Sequence, residues 1–186
     1  MERLQEATII LTLADALRAR GSWCGETHLQ KSVYFVKELS NVPLEFDFIL
    51  YKHGPFSFDL RDELTAMRAD GLLNLHVQPY PYGASLIPTE SSKKITAKYL
   101  RTVSNFQDRI EFVADRLGNK GVAQLEQLAT ALYVTKKEAT ATKSIGDRAK
   151  RLHELKPHVS MEDARVAVED VDQIIAEAAE RFQVTL

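Results

Sequence analysis

The run Tyr51-Lys52-His53-Gly54-Pro55-Phe56-Ser57 places two basic side chains, two aromatic rings and a helix-capping serine side by side. A turn that feeds a helix N-terminus offers free backbone donors, and Lys52 and His53 add positive charge. An anion, or the carboxylate of a partner, could sit there. The plainer expectation is a turn shaped by Gly54 and Pro55, with Ser57 as its cap.

Enzymatic chemistry is poorly supplied. Cys24 and His28 are four apart, but Gly25 separates the thiol from the Thr27 cap and no third residue is placed to orient the pair. A free thiol, buried or half-buried, is the expectation. His28, His53, His76, His153 and His158 show neither His-x-Glu nor His-x-x-x-His spacing, so no metal site is expected. Gly118-Asn119-Lys120-Gly121 lacks the spacing of a phosphate loop, and Gly-x-Ser-x-Gly is absent. Paired carboxylates such as Asp62-Glu63 fall on an exposed helix face. The reading is a protein without catalytic residues, metal or cofactor, which acts by binding.

Charge points to the kind of partner. Residues 1–92 carry eight basic and twelve acidic side chains, too acidic for a phosphate backbone. The segment 57–70, where a recognition helix would lie, holds Asp59, Asp62, Glu63 and Asp70 against Arg61 and Arg68. Another protein therefore ranks ahead of DNA, with Lys52, His53, Phe56, Arg61, Tyr80 and Tyr82 as contact residues. DNA binding would rest on Arg61 and Arg68. In the second half, Lys136, Lys137, Lys143, Arg148, Lys150, Arg151 and Lys156 form a basic block, and residues 161–181 hold seven acids with only Arg165 and Arg181. Either the blocks pair as solvated helix faces, or the basic one docks nucleic acid or an acidic partner. A homodimer that joins the two blocks through its C-terminal helices lies between.

These residues need elements to hold them. Leu4, Ala7, Leu11, Ala14 and Leu17 predict a first helix stopped at Gly21-Ser22. Thr27-His28-Leu29-Gln30 reads as a capping box for a second, which buries Leu29, Val33, Val36 and Leu39. A strand is expected at 46–51, closed by Gly54-Pro55. Ser57 then caps a third helix with Leu60, Leu64 and Met67 on one face, ending at Asp70-Gly71. Leu72 to Val77 and Ala84 to Ile87 flank a proline-stiffened aromatic tip and read as a hairpin. The order resembles a winged helix-turn-helix, with the first strand later than usual.

Beyond Ser91-Ser92-Lys93-Lys94, taken as a junction, the chain reads as helical. Tyr99, Val103, Phe106, Ile110, Val113 and Leu117 give the a/d pattern of one helix over 95–117. A helix from Val122 to about Thr135 follows, then a basic element that Pro157 closes, then a helix opened by Ser160 with Val171, Ile174, Ile175, Ala178 and Phe182 on its face. The expected fold is mainly α with a small β component: a winged-helix-like unit, 1–92, packed on a helical subdomain, 93–186.

With 45% apolar and 27% charged residues the chain can bury a core, which excludes disorder. It has no apolar run of membrane-spanning length, and the opening Met1 to Glu6 is acidic and polar where a secretory signal is basic and then apolar. With a single cysteine, the expected location is the cytoplasm.

The block Leu29-Gln30-Lys31-Ser32-Val33-Tyr34-Phe35, then Phe46 to Tyr51, then His53-Gly54-Pro55-Phe56-Ser57-Phe58-Asp59-Leu60, resembles the YwgA-like proteins and the related Panacea (SocA-type antitoxin) domain. Leu155-Lys156-Pro157-His158-Val159-Ser160 and the helix after it also look like the YwgA-like C-terminus. The chain has Lys52-His53 where the Panacea domain usually has a tryptophan-containing stretch, so the YwgA-like match is the closer. The resemblance implies a winged-helix-like core without an established catalytic activity, in a transcriptional regulator, a phage-associated protein or an antitoxin that binds a toxin.

Overall fold

The computed structural model describes residues 1–77, 79, 83–137 and 144–183. The protein is mainly helical, with two small antiparallel sheets. α1 (Arg3–Ala19) and α2 (Glu26–Ser40) lead to a hairpin of β1 (Ile49–Tyr51) and β2 (Gly54–Phe56). α3 (Phe58–Ala69) follows, then a second hairpin of β3 (Leu73–His76) and β4 (Ser85–Pro88). The rest is helical: α4 (Glu90–Lys98), α5 (Leu100–Leu117), α6 (Val122–Lys137), α7 (Ile145–Leu155) and α8 (Met161–Phe182).

α1 and α2 sit at the centre. Ile9, Ile10, Leu11, Leu13 and Leu17 of α1 are all buried, so the helix is covered on more than one side. α5 packs along α1, and α2 is shared between α1 on one side and α5, α6 and α8 on the other. The two halves of the chain therefore build one core. Arg20, just past α1, clamps α5 through Glu111 at 2.5 Å and Asp115 at 2.6 Å. The helices approach so closely there that a Cβ on Gly118 would lie 2.6 Å from Arg20 Cβ.

Several local signals act as their chemistry requires. Ser57 Oγ accepts from Leu60 N–H at 3.2 Å, Ser160 Oγ accepts from Asp163 N–H at 3.0 Å, and Gly71, with φ +70°, turns the chain after α3. Others are overridden. α2 begins at Glu26 with Gly25 as its cap, so Thr27 lies inside the helix and no capping box forms. The strand expected over 46–51 is confined to Ile49–Tyr51. Gly54 and Pro55, expected to end it, instead form the returning strand, in register Tyr51↔Gly54 and Ile49↔Phe56. Lys52-His53 is the two-residue turn, and Gly54 takes φ +87°.

The single helix expected over 95–117 is two. Tyr99, at φ −104° and ψ 32°, breaks α4 from α5, and only the C-terminal part of the seam, Ile110, Val113 and Leu117, is fully buried. The junction at Ser91–Lys94 lies within α4, where Thr89 caps the helix and Ser92 is buried. In the second hairpin, β3 and β4 pair from Leu73↔Pro88 to His76↔Ser85. A bridge Gly25↔Ser85, and a bond from Leu86 N–H to Cys24 O at 2.8 Å, lay residues 24–25 along its other edge. Among the described residues no helix is long and apolar enough to cross a membrane.

Candidate functional site

The β1–β2 hairpin is held by polar side chains that reach its backbone. Gln30 of α2 is completely buried and pairs with Ser57 twice, accepting from Ser57 N–H at 3.0 Å and donating to Ser57 O at 2.9 Å. The Ser57 amide is thus consumed by Gln30, and the Leu60 amide by the Ser57 hydroxyl. Two of the donors that an anion at the start of α3 would use are occupied. Lys31, on the next residue of α2, donates its Nζ proton to Pro55 O at 2.8 Å. Lys156, just after α7, donates to Lys52 O across the turn. His53 Nδ1 lies 3.2 Å from Glu126 Oε1 of α6. Gly54 packs so tightly on α6 that a Cβ there would stand 2.9 Å from Thr130 Oγ1.

Two lysines are therefore buried beside one carboxylate. Lys31 and Lys156 are 1% and 5% exposed, and both feel Glu126. Neither has a carboxylate within 4 Å among the described residues. Burial lowers the Lys31 ammonium from its ordinary 10.5 to about 8; Glu126 works against that shift and Lys156 adds to it. Lys156 is lowered by burial as well. A cavity of about 240 Å³ opens between α2 and the hairpin, lined by Glu26, Thr27, Gln30, Lys31, Tyr51, His53 and Phe56.

The outer side of the hairpin is aromatic. Tyr51, Phe56 and Phe58 pack ring to ring, with centroids 5.1 to 5.9 Å apart, and the Arg61 guanidinium lies 5.0 Å from the Phe58 ring centre. Ile49 and Tyr51 remain 49% and 54% exposed, and Phe58, Leu75 and Val77 are exposed too. Beside this patch a groove of about 280 Å³ runs between α3 and the second hairpin. Trp23, His28, Arg61, Leu64, Arg68 and Leu75 line it.

The structure places His53 and Phe56 in the lining of the hairpin cavity, Lys52 beside His53 in the turn, Arg61 on the Phe58 ring, and both Arg61 and Arg68 in the lining of the groove. Tyr80, Tyr82 and Lys143 lie outside the described residues. The basic block is spread among intramolecular contacts. Arg148 is buried and forms a bidentate pair with Asp172 of α8, 2.6 Å on each arm, with a further bond to Thr135. Lys136 donates to Glu38 O at 2.9 Å, Lys137 pairs with Glu38 at 3.1 Å, and Arg151 pairs with Glu154 at 3.5 Å. Lys150 is exposed, and Lys156 is committed to the hairpin.

Cys24 is fully buried, in a left-handed conformation at φ 55°, and desolvation pushes its thiol up to about 12, the opposite of what a nucleophile needs. His28 is buried against Trp23, with Nε2 3.1 Å from Lys120 O, and burial lowers its pKa. Among the described residues no group of three His, Cys, Asp or Glu is placed to hold a metal.

Sequence reasoning missed Lys31 and Glu126, and read Lys156 only as the last member of the basic block. A lysine flanked by polar neighbours reads as solvent-facing, and its burial depends on α6 and on the residue after α7. The one trace is that Leu29-Gln30-Lys31 belongs to the block carrying the family resemblance. No family model matches the chain, and no curated protein is similar enough to it to establish kinship.

Proposed function

We propose that the protein is a non-catalytic regulatory module on a winged-helix scaffold, an adaptor or antitoxin-like protein of the YwgA-like and Panacea type, and that it binds another protein. The observation that carries this reading is the aromatic cluster of exposed Tyr51 and Phe58 with half-buried Phe56, and Arg61 stacked on Phe58. Aromatic residues and arginine are the types enriched at the energetic centres of protein interfaces. The exposed Ile49, Leu75 and Val77 extend the surface, and the groove beside it offers a concavity. The scaffold is supported by the order α1, α2, α3 and then the β3–β4 hairpin, with the β1–β2 hairpin inserted before α3 and residues 24–25 laid along the edge of β4. DNA binding is disfavoured by the acids of α3. Asp59 and Asp62 are exposed, and Arg61 leans toward Asp62 at 3.4 Å.

The test is a pull-down from the native host with the tagged protein, with and without nuclease, repeated with Phe58→Ser and Arg61→Glu. Neither residue belongs to the buried core, and the far-UV circular dichroism of each variant is compared with that of the parent before use. A stoichiometric protein that survives nuclease and is lost with either variant supports the reading. Recovery of nuclease-sensitive DNA alone, with binding that weakens steeply with salt, overturns it.

A further inference from the structure

We infer that the cavity between α2 and the β1–β2 hairpin is a carboxylate-binding site, and that it takes an Asp or Glu side chain of a partner protein whose apolar neighbours lie on the Tyr51, Phe56 and Phe58 surface. This rests on the interaction-module reading above and names the chemistry of the partner.

Charge balance is the first ground. Lys31 and Lys156 are buried, and the carboxylate whose field reaches both, Glu126, is in ion-pair contact with neither and lies 3.2 Å from His53 instead. A buried ammonium without a paired anion is costly, and chains tolerate it where a ligand supplies the missing charge. The second ground is unused bonding capacity. An ammonium carries three donors, and among the described residues Lys31 has one acceptor, Pro55 O. It lines a cavity of about 240 Å³, which also meets the hydroxyl-bearing Thr27, the turn residue His53 and the rings of Tyr51 and Phe56.

The third ground is selectivity. Glu26, exposed at the rim, and Glu126 are the acids near the site. Glu126 offsets one of the two buried lysines and leaves about one positive charge inside, and the solvent-exposed Glu26 repels further negative charge at the rim, so a singly charged carboxylate is favoured over a phosphate of higher charge. The ring surface continues from the cavity through Tyr51 and Phe56, which line it and also pack on Phe58. An acidic side chain in the cavity would therefore leave its flanking residues on the aromatic patch. Lys31 acts here as a recognition group: its charge is held in a dry site, where a hydrogen bond to a carboxylate is stronger than at the surface.

The probe is propionate, the isolated side-chain acid of glutamate, against propionamide, its neutral counterpart, at constant ionic strength and pH 7. Binding is read by NMR on the full-length labelled protein. Saturable shifts of the Lys31 Hε/Cε signals and of the Thr27 and His53 amides with propionate, absent with propionamide, are the expected result. In Lys31→Met the affinity falls about tenfold or more. Shifts that do not saturate, or that propionamide reproduces, overturn the site without reference to any variant. Inorganic phosphate binding there more tightly than propionate overturns the carboxylate assignment. The pull-down separates the two levels. A nuclease-resistant partner retained equally by Lys31→Met overturns this inference and leaves the interaction reading standing, whereas loss of every protein partner from the unsubstituted chain overturns the reading beneath it.

Discussion

Replacing Lys31 with methionine exposes the energetics of the buried ammonium. In the folded protein the group titrates at about 8, against 10.5 in an exposed lysine. At about 1.4 kcal/mol per pH unit, holding the charged form in the fold costs about 3 kcal/mol. Below pH 8 both folded and unfolded chains are protonated and the full cost is present. Between pH 8 and 10.5 the unfolded chain keeps its proton while the folded chain has lost it, so stability rises with pH, and about 2.5 kcal/mol is recovered between pH 7 and 10. Methionine has nearly the same length and no charge. It leaves Pro55 O without its donor, a loss of about 1 kcal/mol, so the variant should be more stable than the parent by about 2 kcal/mol at pH 7.

Urea unfolding of both proteins at pH 7, 8, 9 and 10 measures this. Cys24 and Tyr34, whose pKa values burial raises, make stability fall as pH climbs through the thiol and phenol range. They do so in both proteins and cancel in the difference. Lys156, which shares Glu126 with Lys31, regains part of its lost basicity in the variant and blunts the difference slightly. The gap should shrink steadily and close or reverse by pH 10. A gap that stays constant across this range would refute the claim that Lys31 is a charged group held out of water.

Three further outcomes are expected. Gln30→Leu leaves Ser57 N–H unpaired in the interior and removes one of the two donors to Ser57 C=O, which keeps Arg61 N–H at 3.2 Å, and should destabilise by about 1–3 kcal/mol in the same unfolding assay. Gly54→Ala meets both a left-handed backbone and Thr130 Oγ1 at 2.9 Å, so it should cost about 1–3 kcal/mol and shift the NMR signals of Lys31 and Glu126 as the hairpin lifts off α6. Cys24 should stay unreactive toward a disulfide reagent at pH 8 in the folded protein and react at once in urea. Equal rates in the two states would contradict its burial.

Lys31 also marks where reading the chain one residue at a time stops. Its neighbours Gln30 and Ser32 are polar, and none of the three belongs to the apolar set Leu29, Val33, Val36 and Leu39, yet all are buried. Gln30, read as part of a capping box, turns instead to the backbone at Ser57. The same two glutamine atoms could have served either purpose. The buried bond to Ser57 N–H, a donor that water cannot reach, prevailed over a cap that water can replace. Arg148 is comparable, because the sequence offers opposite charge blocks and only packing of α7 on α8 selects Asp172.

What the sequence determined by itself is what lies within a few residues along the chain. The apolar faces of α1, α3, α6 and α8, the Ser57 and Ser160 caps and the Gly71 turn depend on local hydrogen bonds and on the helical repeat. The mainly helical class follows from them. Tertiary structure decided the rest: that Gly54-Pro55 returns as a strand, that Tyr99 breaks a regular seam, and that two lysines are buried against the carbonyls of one hairpin. Each depends on an element far away in the chain, α6 for the hairpin and Lys156 for the charge at Lys31. Desolvation is a property of everything packed around a group, and no local pattern encodes it.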